Sequence, residues 1–297
     1  MSTATSKETI GAEQWARKDV GKDYKLGERM TRVVAGVLIK QSGVLDAARA
    51  GGEVKILDSA CGIGIVTSLL QEALKDAPSN TWNVTCTDFS DGMISSAKER
   101  ADVESWKNIV DITIADAQDT KLPSGSYTHV LTSLGFGIFP NSDAALDECT
   151  RMLVPGGTLG ISTWHYASWP ELMQRGLELA GASVKFPPLL DTYASRTGYD
   201  WSSVEAVETL LKKRGFEDVV VRLNEQVTPF SKEEMTGEVI GKMSLSMIIR
   251  MLPEEDRVWE PKVLPAIAEH WGEMFGEGGE YPMKMISVIA TAKKPTA

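Results

Sequence analysis

The chain has 297 residues, of which 42% are hydrophobic, and its 41 acidic and 31 basic residues give a formal net charge of −10. This is enough apolar material for one large domain or for a core with an added lobe, and too much for a disordered acidic tail. The acidic surplus argues against sequence-independent binding to nucleic acid or anionic lipid, because both need a face rich in Lys and Arg. We expect a small-molecule substrate, with no nucleic acid and no membrane as partner.

The three cysteines, Cys61, Cys86 and Cys149, form an odd and widely spaced set. Such spacing offers neither a disulfide framework nor paired zinc ligands, so no metal site is expected. The N-terminal residues lack the apolar core of a signal peptide, and the early apolar run Val33–Ile39 is too short to cross a bilayer. These features favour a cytoplasmic protein.

Short β-rich runs alternate with helical periodicity from residue 54 onward. Seven runs are predicted as strands: Val54–Asp58, Trp82–Thr87, Ile109–Ala115, Tyr127–Ser133, Thr158–Thr163, Val219–Leu223 and Met283–Ala292. Helices are predicted from Ile63 until Pro78, from Ser90, over Asn141–Leu153, Trp169–Ala180 and Ser203–Lys213, and in two pieces within residues 231–275 that are split near Pro253. The alternation predicts a mostly parallel sheet with helices on both faces.

The most informative run, Ile56–Gly64, is a strand that ends in Asp58 and passes through a side-chain-poor turn into a helix. Gly62 and Gly64 let the backbone approach a ligand, and the start of the helix presents unpaired N–H groups. A phosphate-binding loop needs a Lys after the glycines, and none follows. A dinucleotide fingerprint needs Gly or Ala where Thr67 stands. The remaining interpretation is a loop against a nucleoside without phosphate, with Asp58 placed to hold a cationic group.

Two further acids end the next two predicted strands. Asp88 can accept the hydroxyls of a ribose, and Asp116, followed by the small Ala117, suits an adenine amino group. Ligands of such sheets bind at the carboxyl ends of the strands, so Asp58, Asp88 and Asp116 predict a single site. Each acid alone is more often a solvated strand end or a helix cap.

These runs resemble the motifs of a known enzyme family. The segments Leu57–Gly64, Thr87–Met93, Ala115–Ala117 and Leu153–Gly157 are similar to class I S-adenosylmethionine (SAM)-dependent methyltransferases of the ubiquinone-biosynthesis-like branch. The loop Ala60–Gly64 with its flanks looks most like the fungal secondary-metabolite methyltransferases typified by gliotoxin bis-thiomethyltransferase. One departure is that Ala60 stands where the family has its first loop glycine.

The resemblance implies an α/β, Rossmann-like, doubly wound sheet of seven strands whose last strand, Met283–Ala292, is antiparallel. We divide the chain into an N-terminal helical cap over residues 1–50, a SAM-binding core over 51–182, a helical substrate lid with the sixth strand over 183–280, and a closing strand within 281–297. The expected assembly is a monomer or a homodimer.

The resemblance also implies a set of residues around SAM. These are Tyr24, Arg29, Asp58, Ala60, Gly62, Asp88, Phe89, Met93, Asp116, Ala117 and Ser133. Tyr24 and Arg29 are similar to cap residues that reach the SAM carboxylate, although Arg29 can equally be a solvated helix charge.

Aromatic side chains follow the predicted fourth and fifth strands, where the resemblance places the methyl acceptor. The candidates for substrate contact are Phe136, Phe139, Trp164, His165 and Trp169. Aromatic residues at strand ends are also common packing residues. His165 is the candidate general base, and its alternative is a structural hydrogen bond.

The implied function is SAM-dependent methyl transfer to a small secondary metabolite, with a thiol as the leading acceptor and O- or N-methylation close behind. Enzymes that methylate base amino groups or protein glutamine resemble one another in an Asn/Asp-Pro-Pro-Tyr element, whereas this chain has Ser133–Phe136 at that point. The alternative is a protein of this fold that binds SAM without transferring methyl, as a regulator or a non-methylating cyclase.

Overall fold

The computed structural model describes residues 27–78, 81–187, 197–237 and 240–296, together with Gly21 and Lys25. In chain order, its elements are α1 (Glu28–Ser42), α2 (Val44–Arg49), β1 (Val54–Ser59), α3 (Ile65–Ala73), β2 (Trp82–Asp88), α4 (Asp91–Glu104), β3 (Ile109–Ile114), β4 (Tyr127–Ser133), α5 (Ser142–Met152), β5 (Leu153–Ala167), α6 (Trp169–Leu179), α7 (Val204–Lys213), β6 (Glu217–Phe230), α8 (Lys232–Thr236), α9 (Ile240–Ile249), a 3₁₀ segment (Glu254–Trp259), α10 (Glu260–Glu269), α11 (Trp271–Phe275) and β7 (Tyr281–Lys293).

The seven strands form one sheet in the order β3-β2-β1-β4-β5-β7-β6. The pairs from β3 to β5 are parallel. β7 runs antiparallel to β5: Gly156 N–H donates to the carbonyl of Lys294, and Ser168, just beyond the other end of β5, donates to Lys284. The predicted Rossmann-like fold with an antiparallel last strand is confirmed.

Two apolar layers sandwich the central strands. In β1, Ile56 and Leu57 point to opposite faces of the sheet, and both side chains are fully buried. Ile56 belongs to the cluster packed with α3, and Leu57 belongs to the cluster packed with α5. A strand that is buried on both faces has a nearly continuous apolar sequence, which is why β1 could be predicted.

The last three strands in the chain are longer than predicted. The sequence places the start of the fifth strand at Thr158, after a Pro-Gly-Gly stop, but β5 already begins at Leu153. Gly156 and Gly157 are held in it by hydrogen bonds with Lys294. A partner strand from the far end of the chain thus converts a predicted turn into paired backbone.

The region predicted as two helical pieces contains more breaks than that. Its described residues form α8, α9, the 3₁₀ segment, α10 and α11. Pro253 is the N-cap of the 3₁₀ segment, a position where its missing N–H breaks no helical hydrogen bond. Ser231 begins α8 with a capping box that includes Glu234.

The chain divides into two compact units. The first contains Met1–Trp164, Tyr193–Asn224 and Ser287–Ala297, and the second contains His165–Thr192 and Glu225–Ile286. Every predicted cofactor residue that the structure describes belongs to the first unit. The functional division into cap, core and lid stays a prediction. Within the described segments, no helix combines the length and apolar character that a membrane span needs.

Candidate functional site

The loop after β1 is shaped by left-handed backbone conformations. Ala60 and Gly62 have φ angles of 52° and 56°. A Cβ added to Gly62 would meet only the Sδ of Met93, at 3.9 Å, so this side of the loop is open to a ligand. Ala60 adopts the same conformation with a methyl group, which costs about 1–2 kcal/mol relative to the right-handed region. The loop therefore keeps its shape although Ala60 replaces the glycine of the resembled motif.

Gly64 serves packing rather than ligand approach. A Cβ at Gly64, whose φ is 78°, would lie 2.5 Å from Cη2 of Trp106. The Trp106 indole N–H donates to Glu104 Oε2 at 2.7 Å, and the Ser68 hydroxyl donates to the same oxygen at 2.8 Å. Gly64 was predicted to approach a ligand, and its contact with Trp106 could not be predicted, because nothing in the local pattern links two residues so far apart in the chain.

Asp58, near the end of β1, is 1% exposed. Its Oδ2 accepts the backbone N–H of Thr67 at 3.1 Å and the Thr67 hydroxyl at 2.7 Å. Burial raises the pKa of Asp58 to about 7; the Thr67 hydrogen bonds lower it, and the nearby Asp88 charge adds to the rise. Asp58 is thus a buried carboxyl with neutral donors and a like charge as its neighbours.

Asp88, at the end of β2, joins two loops. Its Oδ2 accepts the N–H of Gly62 and its Oδ1 accepts the N–H of Ser90, both at 2.9 Å. Burial raises the pKa of this carboxyl, and the backbone hydrogen bonds oppose the rise. Each carboxylate oxygen retains a second acceptor position, so Asp88 can also accept hydroxyls.

The residues after Asp88 present an apolar surface. The Ser90 hydroxyl accepts the N–H of Met93 at 3.2 Å and begins α4. Met93 is buried against the open side of Gly62, whereas Phe89 is 45% exposed. An exposed phenyl ring that follows a carboxylate in sequence offers a face on which a planar ring can pack.

The third predicted acid, Asp116, follows β3 and is exposed, and Ala117 is buried beside it. Asp116 Oδ1 accepts the backbone N–H of Gln118 at 2.9 Å and its side-chain amide at 3.0 Å. Gln118 also accepts the N–H of Asn141 at 2.8 Å through its Oε1. Gln118 is a further residue of this edge and was not predicted from the sequence. Its polar side chain lies close in sequence to the candidate acid Asp116, and this proximity is the signal that could have identified Gln118.

Ser133 and Leu134 close the site at the end of β4. The hydroxyls of Ser133 and Ser162 lie 3.1 Å apart, and Ser162 Oγ also accepts the N–H of Leu134, whose φ is 64°. A small pocket lies at this edge. It is lined by Thr31, Asp58, Ala60, Cys61, Gly62, Ile65, Val66, Ser133 and Leu134. Thr31 and Leu134 were not among the predicted residues, because their positions depend on how α1 and the β4 turn pack.

Of the two residues predicted in the N-terminal cap, Arg29 and Tyr24, the structure describes only Arg29. Arg29 is exposed in the first turn of α1. Tyr24 lies outside the described residues. Glu28, beside Arg29, forms ion pairs with Arg100 on α4 and, at 3.5 Å, with Arg32. These pairs fix the start of α1, and Thr31 in the same turn borders the pocket.

Phe136, Phe139 and Trp164 lie in the first unit. Phe136 is fully buried, and its ring centroid lies 4.7 Å from that of Trp201 and 5.2 Å from that of Phe139. Its side chain packs in the core against these rings, and its contact with substrate stays a prediction. Phe139 and Trp164 are half-buried and retain accessible surface.

His165 and Trp169 lie in the second unit. His165 is half-buried near the end of β5, and Trp169 is the buried first residue of α6. Tyr166, beside His165, donates a hydrogen bond to Glu171 Oε1 at 2.7 Å. Burial, and to a smaller extent this hydrogen bond, raises the pKa of Tyr166 to about 12. The other described histidines are His129, buried within β4 with a pKa lowered to about 4 by burial, and His270, which contacts the Ala266 carbonyl.

The first-unit residues fit the cofactor that the sequence implies. The carboxyl ends of adjacent parallel strands bring Asp58, Asp88 and Ser133 to one edge, and Asp116, the third predicted acid, follows β3, which pairs with β2. A positively charged group is favoured beside two buried carboxyls, and the open side of Gly62 admits a ligand to the backbone. The paired acids and the exposed Phe89 suit a cationic nucleoside better than a phosphate.

Comparisons with known proteins agree with this geometry. Residues 57–161 match the family model described as "Methyltransferase domain". The methyltransferase tpcH of Aspergillus fumigatus is 32% identical over 94% of this chain and 97% of that protein. Acetylaranotin bis-thiomethyltransferase of Aspergillus terreus is 30% identical over 94% of this chain and 95% of that protein.

The fold of this chain is also similar to that of a solved structure. Phosphoethanolamine N-methyltransferase 2 of Haemonchus contortus, in complex with phosphomonomethylethanolamine and S-adenosylhomocysteine, aligns with a TM-score of 0.54 and 15% identity. The alignment covers 99% of this chain and 61% of that chain. At this identity, the similarity concerns the fold alone.

Proposed function

The chain belongs to the SAM-dependent methyltransferases, in the family of these two Aspergillus enzymes, and we propose that it methylates a thiol of a small secondary metabolite. The observation that carries the cofactor part of the proposal is the Asp88 carboxylate, which links the Gly62 loop to the start of α4 beside the exposed Phe89. This arrangement supplies an acceptor for hydroxyl groups next to a surface for a planar base.

The residues proposed to hold SAM divide by the part of the molecule that each suits. Asp88 would accept the ribose hydroxyls, with Phe89 and Met93 on one side of the adenine and Asp116 and Ala117 on the other. A second group would lie along the methionine moiety: Tyr24, Arg29, Asp58, Ala60, Gly62 and Ser133. The pocket between α1 and the β1 loop supports this second group, because four of its members line it.

SAM supplies, when bound, a methyl group on a sulfonium that is already an excellent leaving group. The chain's contribution is therefore alignment and exclusion of water, rather than activation of the methyl group. Ala60 and Leu134 hold strained backbone at the pocket, and Ser162 fixes the second of them through its hydroxyl. Rigid walls of this kind orient a ligand at little entropic cost.

The thiol acceptor is supported by the full-length relative named a bis-thiomethyltransferase. A thiol ionises near neutral pH, so it needs less help from a base than a hydroxyl does. The half-buried aromatic rings of Phe139 and Trp164 suit a flat or apolar metabolite. Phenol and amine acceptors are the nearest competitors and are included in the test.

The experiment incubates the protein with SAM and a matched panel of thiol, dithiol, phenol and amine metabolites, and detects methylated products by mass spectrometry. The expected result is a mass gain of one methyl group per thiol. Methylation confined to phenols or amines would contradict the thiol assignment. SAM binding with no product from any acceptor would favour a binding protein or a non-methylating cyclase.

His165 is proposed as the base for acceptors that bind protonated. His165→Ala should lower kcat at acidic pH more than at alkaline pH, because a thiol ionises unaided at higher pH. SAM affinity should be unchanged. His270→Ala, a histidine of the same unit with a backbone contact, is the matched control. Wild-type turnover of His165→Ala at every pH would leave His165 a structural role.

A further inference from the structure

Asp58 borders the proposed cofactor pocket, and a second buried carboxyl, Asp88, holds the pocket residue Gly62 through its backbone N–H. Within the part of the chain that the structure describes, no basic side chain is among the groups that act on Asp58. On Asp58, these groups within the described residues are the Thr67 hydroxyl and N–H from α3 and the Asp88 carboxyl from β2. Two thiols lie close to Asp58: Cys61 in the loop and Cys86 on β2. The Asp58 charge acts on the Cys61 thiol, which also contacts Cys86. The Cys86 Sγ is 3.1 Å from Thr67 Oγ1. The α1 and β4 walls of the pocket contribute Thr31 and Ser133, which do not titrate.

We propose that Asp58 is a charge-sensing residue of the pocket: at mildly acidic pH it is protonated in the free protein, and it releases its proton when the sulfonium of SAM binds. The inference rests on the proposed function, since it presumes SAM in this pocket. The proton and the charge balance: the carboxyl proton passes to solvent, and the carboxylate remains opposite the bound cation. No bond to the cofactor forms or breaks.

The positive charge of bound SAM would compensate the negative charge of ionised Asp58. A buried carboxylate beside a second carboxyl is unfavourable until a positive charge is brought next to it. SAM carries the positive sulfonium, whereas the demethylated product, S-adenosylhomocysteine, has a neutral sulfide in its place. Ionised Asp58 therefore favours SAM over the product, and protonated Asp58 does not. Asp58 would thus determine specificity between the substrate and product forms of the cofactor.

Proton release can be counted by titrating SAM calorimetrically in two buffers of different ionisation enthalpy at the same pH. The burial of Asp58 raises its pKa to about 7, so wild-type protein should release about 0.5 proton per SAM at pH 7 and about 0.9 at pH 6. SAM affinity should fall about fivefold between pH 7 and pH 6. The product should release fewer protons.

Asp58→Asn is the decisive variant, because it mimics the protonated carboxyl in size and shape. It should release almost no proton and lose both the pH dependence and the preference for SAM over the product in this range. Thr67→Val removes a hydroxyl that lowers the Asp58 pKa, so it should move the half-point of proton release to higher pH.

Ser59→Ala is the matched control. It lies next to Asp58 on β1, and its buried hydroxyl has no hydrogen-bond partner among the described residues. It should leave the half-point of proton release unchanged. SAM binding whose enthalpy is independent of the buffer would overturn the inference while leaving the methyltransferase proposal intact. Failure to bind SAM at any pH would overturn the placement of SAM in this pocket, whatever the proton count.

Discussion

Asp58 and Glu148 are buried carboxyls of the same unit. Their surroundings shift the two pKa values in opposite directions. Glu148 Oε1 accepts the N–H and hydroxyl of Thr120 at 2.8 and 2.5 Å, and Arg151 donates to both carboxylate oxygens at 2.7 Å. The Arg151 hydrogen bonds lower the pKa of Glu148 to about 2. Among the described residues, Asp58 accepts hydrogen bonds from Thr67 only, and burial raises the pKa of Asp58 to about 7.

The difference separates a carboxyl that stabilises the fold from one suited to a ligand. At Glu148, the protein supplies the opposite charge itself, so the folded chain is complete without a partner. At Asp58, it supplies only neutral donors and adds the like charge of Asp88. Perturbed groups of the second kind concentrate at functional sites, where the missing charge comes from what binds. Variants of Asp58 and Glu148 test this contrast, and variants of Asp88 and Ala60 test the loop beside Asp58.

Asp58→Asn should have the largest effect and should stabilise the free protein at pH 8 by about 4 kcal/mol. A carboxyl whose folded pKa is raised from 3.8 to about 7 contributes fully below pH 3.8 and loses that contribution as the pH rises through 7. The gain should therefore vanish near pH 4. Urea unfolding at both pH values measures it. An Asp58→Asn protein that is less stable than wild type at pH 8 would contradict the contrast.

Asp88→Ala should weaken SAM binding about 100-fold, or about 3 kcal/mol, because it removes the hydroxyl acceptor and the anchor of Gly62. Calorimetry measures the affinity, and circular dichroism checks that the variant is folded. Asp116→Ala, at an exposed carboxyl, should have a smaller effect. Unchanged SAM binding in Asp88→Ala would refute the ribose assignment.

Glu148→Gln should destabilise the protein by about 2 kcal/mol at pH 7, after allowance for the partly exposed Arg151. The contribution of a carboxyl whose pKa is lowered from 4.5 to about 2 is present above pH 4.5 and lost as the pH falls through 2. Urea unfolding midpoints should therefore differ at pH 7 and converge at the acid extreme. SAM affinity should not change, which separates this carboxyl from Asp58.

Ala60→Gly should have the smallest effect, a stabilisation of about 0.5–1 kcal/mol, because glycine relieves the strain of a φ of 52° but loses more chain entropy on folding. The reciprocal change Gly62→Ala, at a φ of 56°, should destabilise by a similar amount. Thermal unfolding of the two variants measures both shifts. Shifts of the same sign would show that backbone strain does not govern this loop.

The parts of the fold that could be predicted are those encoded locally. β1 and β4 follow from apolar runs, and α4 begins at Ser90 because its hydroxyl caps the helix. The early start of β5 could not be predicted, because it depends on pairing with Lys294 at the far end of the chain. The packing of Phe136 against Trp201 and of Gly64 against Trp106 could not be predicted for the same reason: the partners are distant in sequence.

The sequence by itself determined the seven strands in chain order, the side-chain-poor turn after β1 and the acids at the strand ends, because periodicity, glycine and strand polarity are local properties. Only the tertiary structure decided that Glu148 is neutralised and Asp58 is not. A carboxyl's pKa depends on the charges and donors that surround it in space, and Arg151 and Thr120 reach one acid while Asp88 reaches the other.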